Sequence, residues 1–148
     1  MTAGDAALVL TAAAAWYMAG LIWFVQRTHY PMMRWGPQDR FADFEQEHMQ
    51  RTGPVTGPPM LVELASAAWL VAAIPQGVPA WTAWLSLALA VAVFAHTLAV
   101  FVPLHRKLGH GKDEAALRKL VAHNWLRTTL WSARALLLAG MILARLAV

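Results

Sequence analysis

The 148-residue chain contains no cysteine, and only 14% of its residues are charged. The missing cysteines exclude a disulfide framework, a thiolate metal site and a cysteine nucleophile. Soluble globular domains contain about 25% charged residues, so the low charge content argues against a water-soluble globule. The 59% hydrophobic content excludes a disordered chain as well, because disordered segments are poor in apolar residues. A protein that lies in a membrane is the class that remains.

Four apolar segments are candidates for membrane spans. A helix needs about 20 mainly apolar residues to cross the hydrocarbon core, and the first and third segments reach this length without a formal charge. The second segment is shorter and contains Glu63, whereas the fourth contains Arg127 and Arg134. The predicted spans cover residues 6–26, 60–75, 81–102 and 121–147. The predicted fold class is therefore all-α, an integral membrane four-helix bundle formed as a single domain by residues 1–148.

Most of the basic residues lie in two long connections, which explains the formal net charge of +4. The connections after spans one and three carry Arg27, Arg34, Arg40, Arg51, Arg106, Lys107, Lys112, Arg118 and Lys119. Both connections lie on the same side of a four-span bundle, and the positive-inside rule places that side in the cytoplasm. We expect both termini to lie outside, in a bacterial inner membrane. The excess of basic residues then reflects the orientation of the protein in the membrane. We therefore expect the lipid bilayer, and not a nucleic acid, as its partner.

The first long connection has the pattern of an amphipathic helix over residues 38–50. Four side chains share one face of this helix by the i, i+3, i+4, i+7 rule, namely Phe41, Phe44, Glu45 and His48. The pattern predicts a short helix that lies along the membrane interface. Residues 53–59 contain two glycines and three prolines, and they predict a break before span two.

Ionisable side chains within the spans are the main functional signal of the sequence. Such groups are costly in a membrane, so they usually face the bundle interior and mark function. Glu63, His96, Arg127 and Arg134 belong to this class. Arg127 and Arg134 are seven residues apart, so they lie two turns apart on one face of span four. That face must contact protein or water.

Several histidines and carboxylates share one depth, near the cytoplasmic end of the predicted bundle. The residues at this depth are His29, His48, Glu63, His105 and His123. One interpretation is a metal site, because Glu45-x-x-His48 is the i, i+3 pair of carboxylate-bridged di-metal bundles. A ligand set drawn from His29, Glu45, His48, Glu63 and His105 suits a divalent transition metal, with iron or zinc favoured over copper.

Two other interpretations of the same residues stay open. In a metal-free site, the histidines act as general bases and the arginines stabilise an anionic oxygen. The candidate catalytic residues are then Arg127, His123 and Arg134. In a purely structural interpretation, Glu63 pairs with Arg127 and the histidines form hydrogen bonds at the interface.

A family resemblance rests on the segment from Val100 to Leu138. Span three ends in Val102-Pro103-Leu104-His105, and span four contains Trp125 followed by Arg127-Thr128. This order resembles the anthrone-oxygenase-like family of four-span membrane proteins. The resemblance implies a four-helix membrane bundle and, for a few members, oxygenation of polycyclic anthrones to quinones without an evident cofactor. Of the residues in the family's pattern, the resemblance transfers only Pro103, Trp125 and Arg127 to this chain.

The chain departs from that family at the histidines. His105 stands where the family favours asparagine, and His29, Glu45, His48, Glu63 and His123 are additional. These additions favour a metal-assisted reaction over that of the family at large. We therefore expect a membrane-embedded, oxygenase-like oxidoreductase that acts on a lipophilic small molecule at a His/Glu site near the cytoplasmic interface.

The alternative function is a non-catalytic membrane subunit, or a membrane protein that binds a metal or a small solute. Such a subunit needs a partner helix or a second copy of the chain. The small residues Ala12 to Ala15 permit close helix approach. A homo-oligomer or a membrane partner is therefore the matching expectation.

Overall fold

Four long helices make up the protein in a computed structural model that describes residues 1–148. They are α1 (Ala3–Met33), α2 (Phe41–Ala72), α3 (Ala80–Leu108) and α4 (Glu114–Leu146). Each is long and apolar enough to cross a membrane, and the chain has no strand. The prediction of an all-α membrane bundle is confirmed. α1 and α3 extend beyond their predicted spans at both ends, whereas α2 and α4 begin before their predicted spans and end slightly short of them.

The helices pack as an up-and-down bundle. α1 and α3 each contact both α2 and α4, so α1 and α3 lie on one diagonal and α2 and α4 on the other. Residues 73–79 form the tight turn that joins α2 to α3, and Gly77 adopts a φ of 82° there, a value that favours glycine. The connections 34–40 and 109–113 meet at the opposite end, which we call the basic end.

α2 is one continuous helix, so the predicted break over residues 53–59 is wrong, and so is the separate interfacial helix over residues 38–50. The helix contains Pro54, Pro58 and Pro59. A proline has no N–H, so it leaves the carbonyl four residues earlier without its helical donor. For Pro59 this carbonyl belongs to Val55, and the Tyr17 hydroxyl of α1 donates to it at 3.2 Å. A contact from the neighbouring helix thus supplies a hydrogen bond that the local sequence cannot.

The predicted shared face at the start of α2 is confirmed. Phe41, Glu45 and His48 are all buried, and they point into the bundle rather than along a membrane surface. Phe41 packs in the apolar core of the basic end, which also contains Tyr30 and Leu108. The helical periodicity therefore brings a carboxylate and an imidazole into the protein interior.

α1 and α3 each contain one π-helical turn, at Val25–His29 and Thr97–Phe101. In both turns the N–H of the next residue bonds to the carbonyl five residues back. Pro31 and Pro103 follow the two turns at the same spacing. Such single wide turns are frequent at functional sites. Here they precede the buried side chains that α1 and α3 contribute at the basic end.

The predicted small-residue contact is used within the chain. Ala12 and Ala15 are buried in the apolar core at the end opposite the basic end, together with Leu70 of α2 and Leu138 of α4. Their small side chains let α1 approach its neighbours closely. Ala12 and Ala15 are therefore used inside the bundle, whereas Ala13 is exposed on the outer face of α1.

A polar cap starts α4 beside the basic end. The Asp113 carboxylate accepts a hydrogen bond from the Ala116 N–H at 2.9 Å, which satisfies one of the free donors of the first turn. Its hydrogen bond with the Lys107 ammonium is the main cause that holds the pKa of Asp113 below its ordinary value. The cap fixes where α4 begins relative to the end of α3.

Candidate functional site

A chain of three hydrogen-bonded side chains joins three helices inside the basic end. His105 of α3 places Nδ1 at 2.6 Å from Oε1 of Glu45 of α2. Its Nε2 lies 3.1 Å from the hydroxyl of Tyr30 of α1. An ionised carboxylate can only accept, so Nδ1 donates to Glu45 and, in the neutral ring, Nε2 accepts from Tyr30. All three side chains are buried.

His48 lies beside this chain, one helical turn after Glu45. Its Nδ1 is 2.9 Å from His29 Nε2 and 3.1 Å from Thr52 Oγ1. The His48 ring stacks between His29 and His105, with centroid separations of 4.7 and 5.1 Å respectively. The three imidazoles that the sequence placed at one depth are therefore in contact.

Glu45, His48 and His105 form a group that can hold a metal ion. One ligand atom from each lies within 4.8 Å of the others. Oε2 of Glu45 and Nε2 of His48 are buried and have no hydrogen-bond partner in the protein. Buried polar atoms are nearly always hydrogen-bonded, so these two unpartnered atoms are exceptional. Two histidines and one carboxylate are also the ligand set of non-haem iron(II) oxygenases.

The surroundings of this group match the outer partners of metal ligands. A ligating histidine usually uses its second ring nitrogen for a hydrogen bond that fixes ring orientation. His48 has His29 and Thr52 on its Nδ1, and His105 has Tyr30 on its Nε2. Bound ligand atoms lie about 2.0–2.2 Å from a metal, so the group needs to close by about 1 Å or more to bind one.

A cavity of about 360 Å³ borders the group. α2 and α3 form most of its wall, which includes His48 and His105, and Arg127 contributes from α4. A Cβ added at Gly53 or Gly57 meets no atom within 4 Å, so these glycines leave part of the space open. Leu61 and Leu98 also line the cavity, and both are more than half exposed. The mouth of the cavity therefore opens on the apolar outer surface of α2 and α3.

Arg127 is buried in the wall of this cavity without a carboxylate. Its side chain is 5% exposed, and the chain's ion pairs do not include it. The guanidinium carbon lies 4.1 Å from the ring centroid of Phe101 and 5.0 Å from that of Trp131. Its Nε has no hydrogen-bond partner. The two rings stabilise the cation from their faces, and the Tyr30 hydroxyl also interacts with the guanidinium, but no carboxylate of the chain compensates the charge.

Glu63 does not join the metal group. Its carboxylate forms a buried ion pair with Arg134 and accepts a hydrogen bond from the Trp131 indole N–H at 2.8 Å. Arg134 also donates from Nε to the carbonyl oxygen of Ser86 at 3.0 Å. The partner of Glu63 is thus Arg134, and the pairing with Arg127 in the structural interpretation is wrong. The ion pair joins α2 to α4, which lie diagonally opposite each other in the bundle, and the hydrogen bond to Ser86 links both helices to α3.

Only one of the three candidate catalytic residues reaches the cavity. Arg127 lines it, Arg134 is held by Glu63, and His123 is exposed beside His96, with the two ring centroids 5.7 Å apart. Sequence reasoning missed Tyr30 and Thr52. Thr52 lies four residues after His48, so helical spacing predicts their contact, whereas no sequence pattern links Tyr30 to His105.

Comparisons of the chain with protein-family models, with curated proteins and with solved structures find no match. The resemblance to the anthrone-oxygenase-like family stays an expectation.

Proposed function

We propose that the protein is a membrane-embedded, oxygenase-like oxidoreductase that acts on a lipophilic small molecule. A divalent transition metal bound by Glu45, His48 and His105 serves as its cofactor in this proposal. The observation that carries it is a buried two-histidine, one-carboxylate group with two unpartnered polar atoms, beside a cavity that has exposed apolar side chains at its mouth. The resemblance to anthrone oxygenases supports molecular oxygen as the co-substrate.

The ligand types favour iron for this role. The group offers nitrogen and oxygen atoms without sulfur, which suits iron, zinc or manganese better than copper(I). Zinc has no redox chemistry, so an oxidation requires iron or another redox-active ion. Such a metal would supply an open coordination position for oxygen. Conversion of a methylene to a carbonyl by O₂, with release of one water, balances without an external reductant.

The protein groups have separate tasks in this proposal. Glu45, His48 and His105 hold the metal at the cavity wall, and His29, Thr52 and Tyr30 hold the two imidazole rings. The Tyr30 hydroxyl can donate or accept, so it can keep its bond to His105 when a metal replaces the proton on Nδ1. The apolar walls of the cavity exclude water from the reacting centre.

Metal analysis of the purified protein tests the proposal. The chain is reconstituted in lipid nanodiscs, its metals are quantified, and iron(II) is added without oxygen before nitric oxide is supplied as a spectroscopic probe. We expect one iron per chain and an iron–nitrosyl signal that reports an open position. Zinc alone, with no such signal after iron addition, supports the alternative of a non-catalytic metal-binding protein. If neither metal binds, the proposal is wrong.

We also propose that the basic end faces the cytoplasm of a bacterial inner membrane. The positive-inside rule supports this topology, because nine of the chain's 12 lysines and arginines belong to the segments around that end. The absence of cysteine permits a direct test with single cysteines at the exposed positions His110 and Gln76. In intact cells, an impermeant maleimide should label Gln76→Cys and leave His110→Cys unlabelled until lysis. The reverse pattern contradicts the topology.

A further inference from the structure

Two buried arginines of α4 differ in how their charges are compensated. Arg134 is fully buried and pairs with Glu63. Arg127 is nearly as buried, two turns away on the same helix, but no carboxylate of the chain pairs with it. A buried charge without a counter-charge is strongly unfavourable. Burial of the Arg127 guanidinium is therefore unfavourable, whereas burial of the Arg134 guanidinium is offset by its ion pair with Glu63.

The surroundings of Arg127 identify what can compensate it. Its side chain lines the cavity, and Phe101 and Trp131 lie against its guanidinium. The rest of the cavity wall consists of apolar side chains, three threonines, two glycines and the polar side chains of Tyr30, His48 and His105, and it contains no carboxylate. A ligand in this cavity meets one buried arginine, the polar groups of Tyr30, His48 and His105, and an apolar surface with exposed leucines at its mouth.

We infer that the cavity binds a lipophilic anion, a molecule with one oxyanion group on an apolar body, and that Arg127 pairs with this group. The inference rests on the proposed function in that it names the substrate class of the same site. A planar guanidinium can donate two parallel hydrogen bonds to a carboxylate. The oxyanion is either such a carboxylate or an ionised, acidic hydroxyl on an aromatic ring.

Calorimetric titration of the metal-free protein in nanodiscs tests the inference, with empty nanodiscs as the blank. Decanoate and decanol form one matched pair of probes, and picrate and trinitrobenzene form the other. We expect at least one anion to bind about tenfold or more tightly than its neutral counterpart, as for a charge-assisted hydrogen bond. Preference in the first pair identifies an alkyl carboxylate, and preference in the second identifies an aromatic oxyanion. If both neutral probes bind as tightly as the anions, the inference is wrong.

Two variants separate the charge from the cavity. Arg127→Met should bring the affinities of anion and neutral probe to within about twofold of each other, and Arg127→Lys should keep a preference for the anion. Gly57→Leu fills open space in the cavity and should abolish binding of all four probes. Gly140→Leu is its control, because Gly140 also has no atom within 4 Å of an added Cβ and does not line the cavity. An anion preference that survives in Arg127→Met contradicts the inference.

If Arg127→Met fails to fold, the other two variants still test the inference. In that case Arg127→Lys must retain the anion preference and Gly57→Leu must lose binding, and failure of either result overturns the inference. The use of metal-free protein separates the two proposals. Anion binding without any metal uptake refutes only the metal-dependent function, whereas metal uptake without anion binding refutes only the inference drawn from Arg127.

Discussion

Replacement of Glu63 by alanine is expected to destabilise the bundle by about 3–5 kcal/mol, the range found when one partner of a buried ion pair is removed. The substitution leaves the Arg134 guanidinium, which is fully buried, without its carboxylate. It also removes the acceptor of the Trp131 indole N–H. Thermal unfolding in detergent micelles, followed by circular dichroism, measures the effect.

The double variant Glu63→Leu with Arg134→Leu is the informative control. Exchange of both charges for apolar side chains is often neutral or stabilising, so the double variant should recover most of the stability that Glu63→Ala loses. Glu47 and Arg51 form an exposed ion pair one turn apart on α2, and Glu47→Ala should change stability little. If the double variant is as unstable as Glu63→Ala, the ion pair is not the reason for the loss.

The sequence predicts most of the bundle, because hydropathy and charge act over whole segments. Four apolar runs define four spans, and the spacing of Phe41, Glu45 and His48 identifies their shared buried face. Depth along a span also follows from counting residues at 1.5 Å each. Counting along the chain therefore places His29, His48 and His105 in one layer, where the structure brings them into contact.

Lateral position in the bundle could not be predicted, because residues at equal depth can lie on different sides of it. Glu63 has the expected depth but meets Arg134 near the bundle centre, far enough from the histidines to leave the metal group. In α2 the Val55 carbonyl that Pro59 leaves free accepts a hydrogen bond from Tyr17, a residue 38 positions away. Each of these features arises from packing between helices.

Substitution at the metal group is expected to separate ligands from the residues that orient them. Glu45→Gln, His48→Ala and His105→Ala each remove one of the three ligands, so bound metal should fall from one per chain to near zero under the conditions that load the wild type. His29→Ala removes no ligand of the group, but it removes the hydrogen bond to His48 Nδ1 and the ring that stacks on His48. Loss of such an outer partner typically weakens metal binding by about 10–100-fold. His29→Ala should therefore still bind metal at higher concentration.

Competition with a chelator of known affinity measures this order, with zinc as a redox-inert probe and iron(II) in anaerobic samples. His110→Ala is the matched control, because His110 is an exposed histidine in the connection after α3, outside the metal group. Zinc should also raise the thermal midpoint of the wild type and of His110→Ala, since a ligand that binds only the folded state stabilises it. The midpoint of His48→Ala should not respond.

Equal metal content in wild type, Glu45→Gln and His48→Ala contradicts the site, because it places the ion on other residues. A loss in His29→Ala as complete as in His48→Ala makes His29 a fourth ligand, because an orienting residue alone cannot abolish binding.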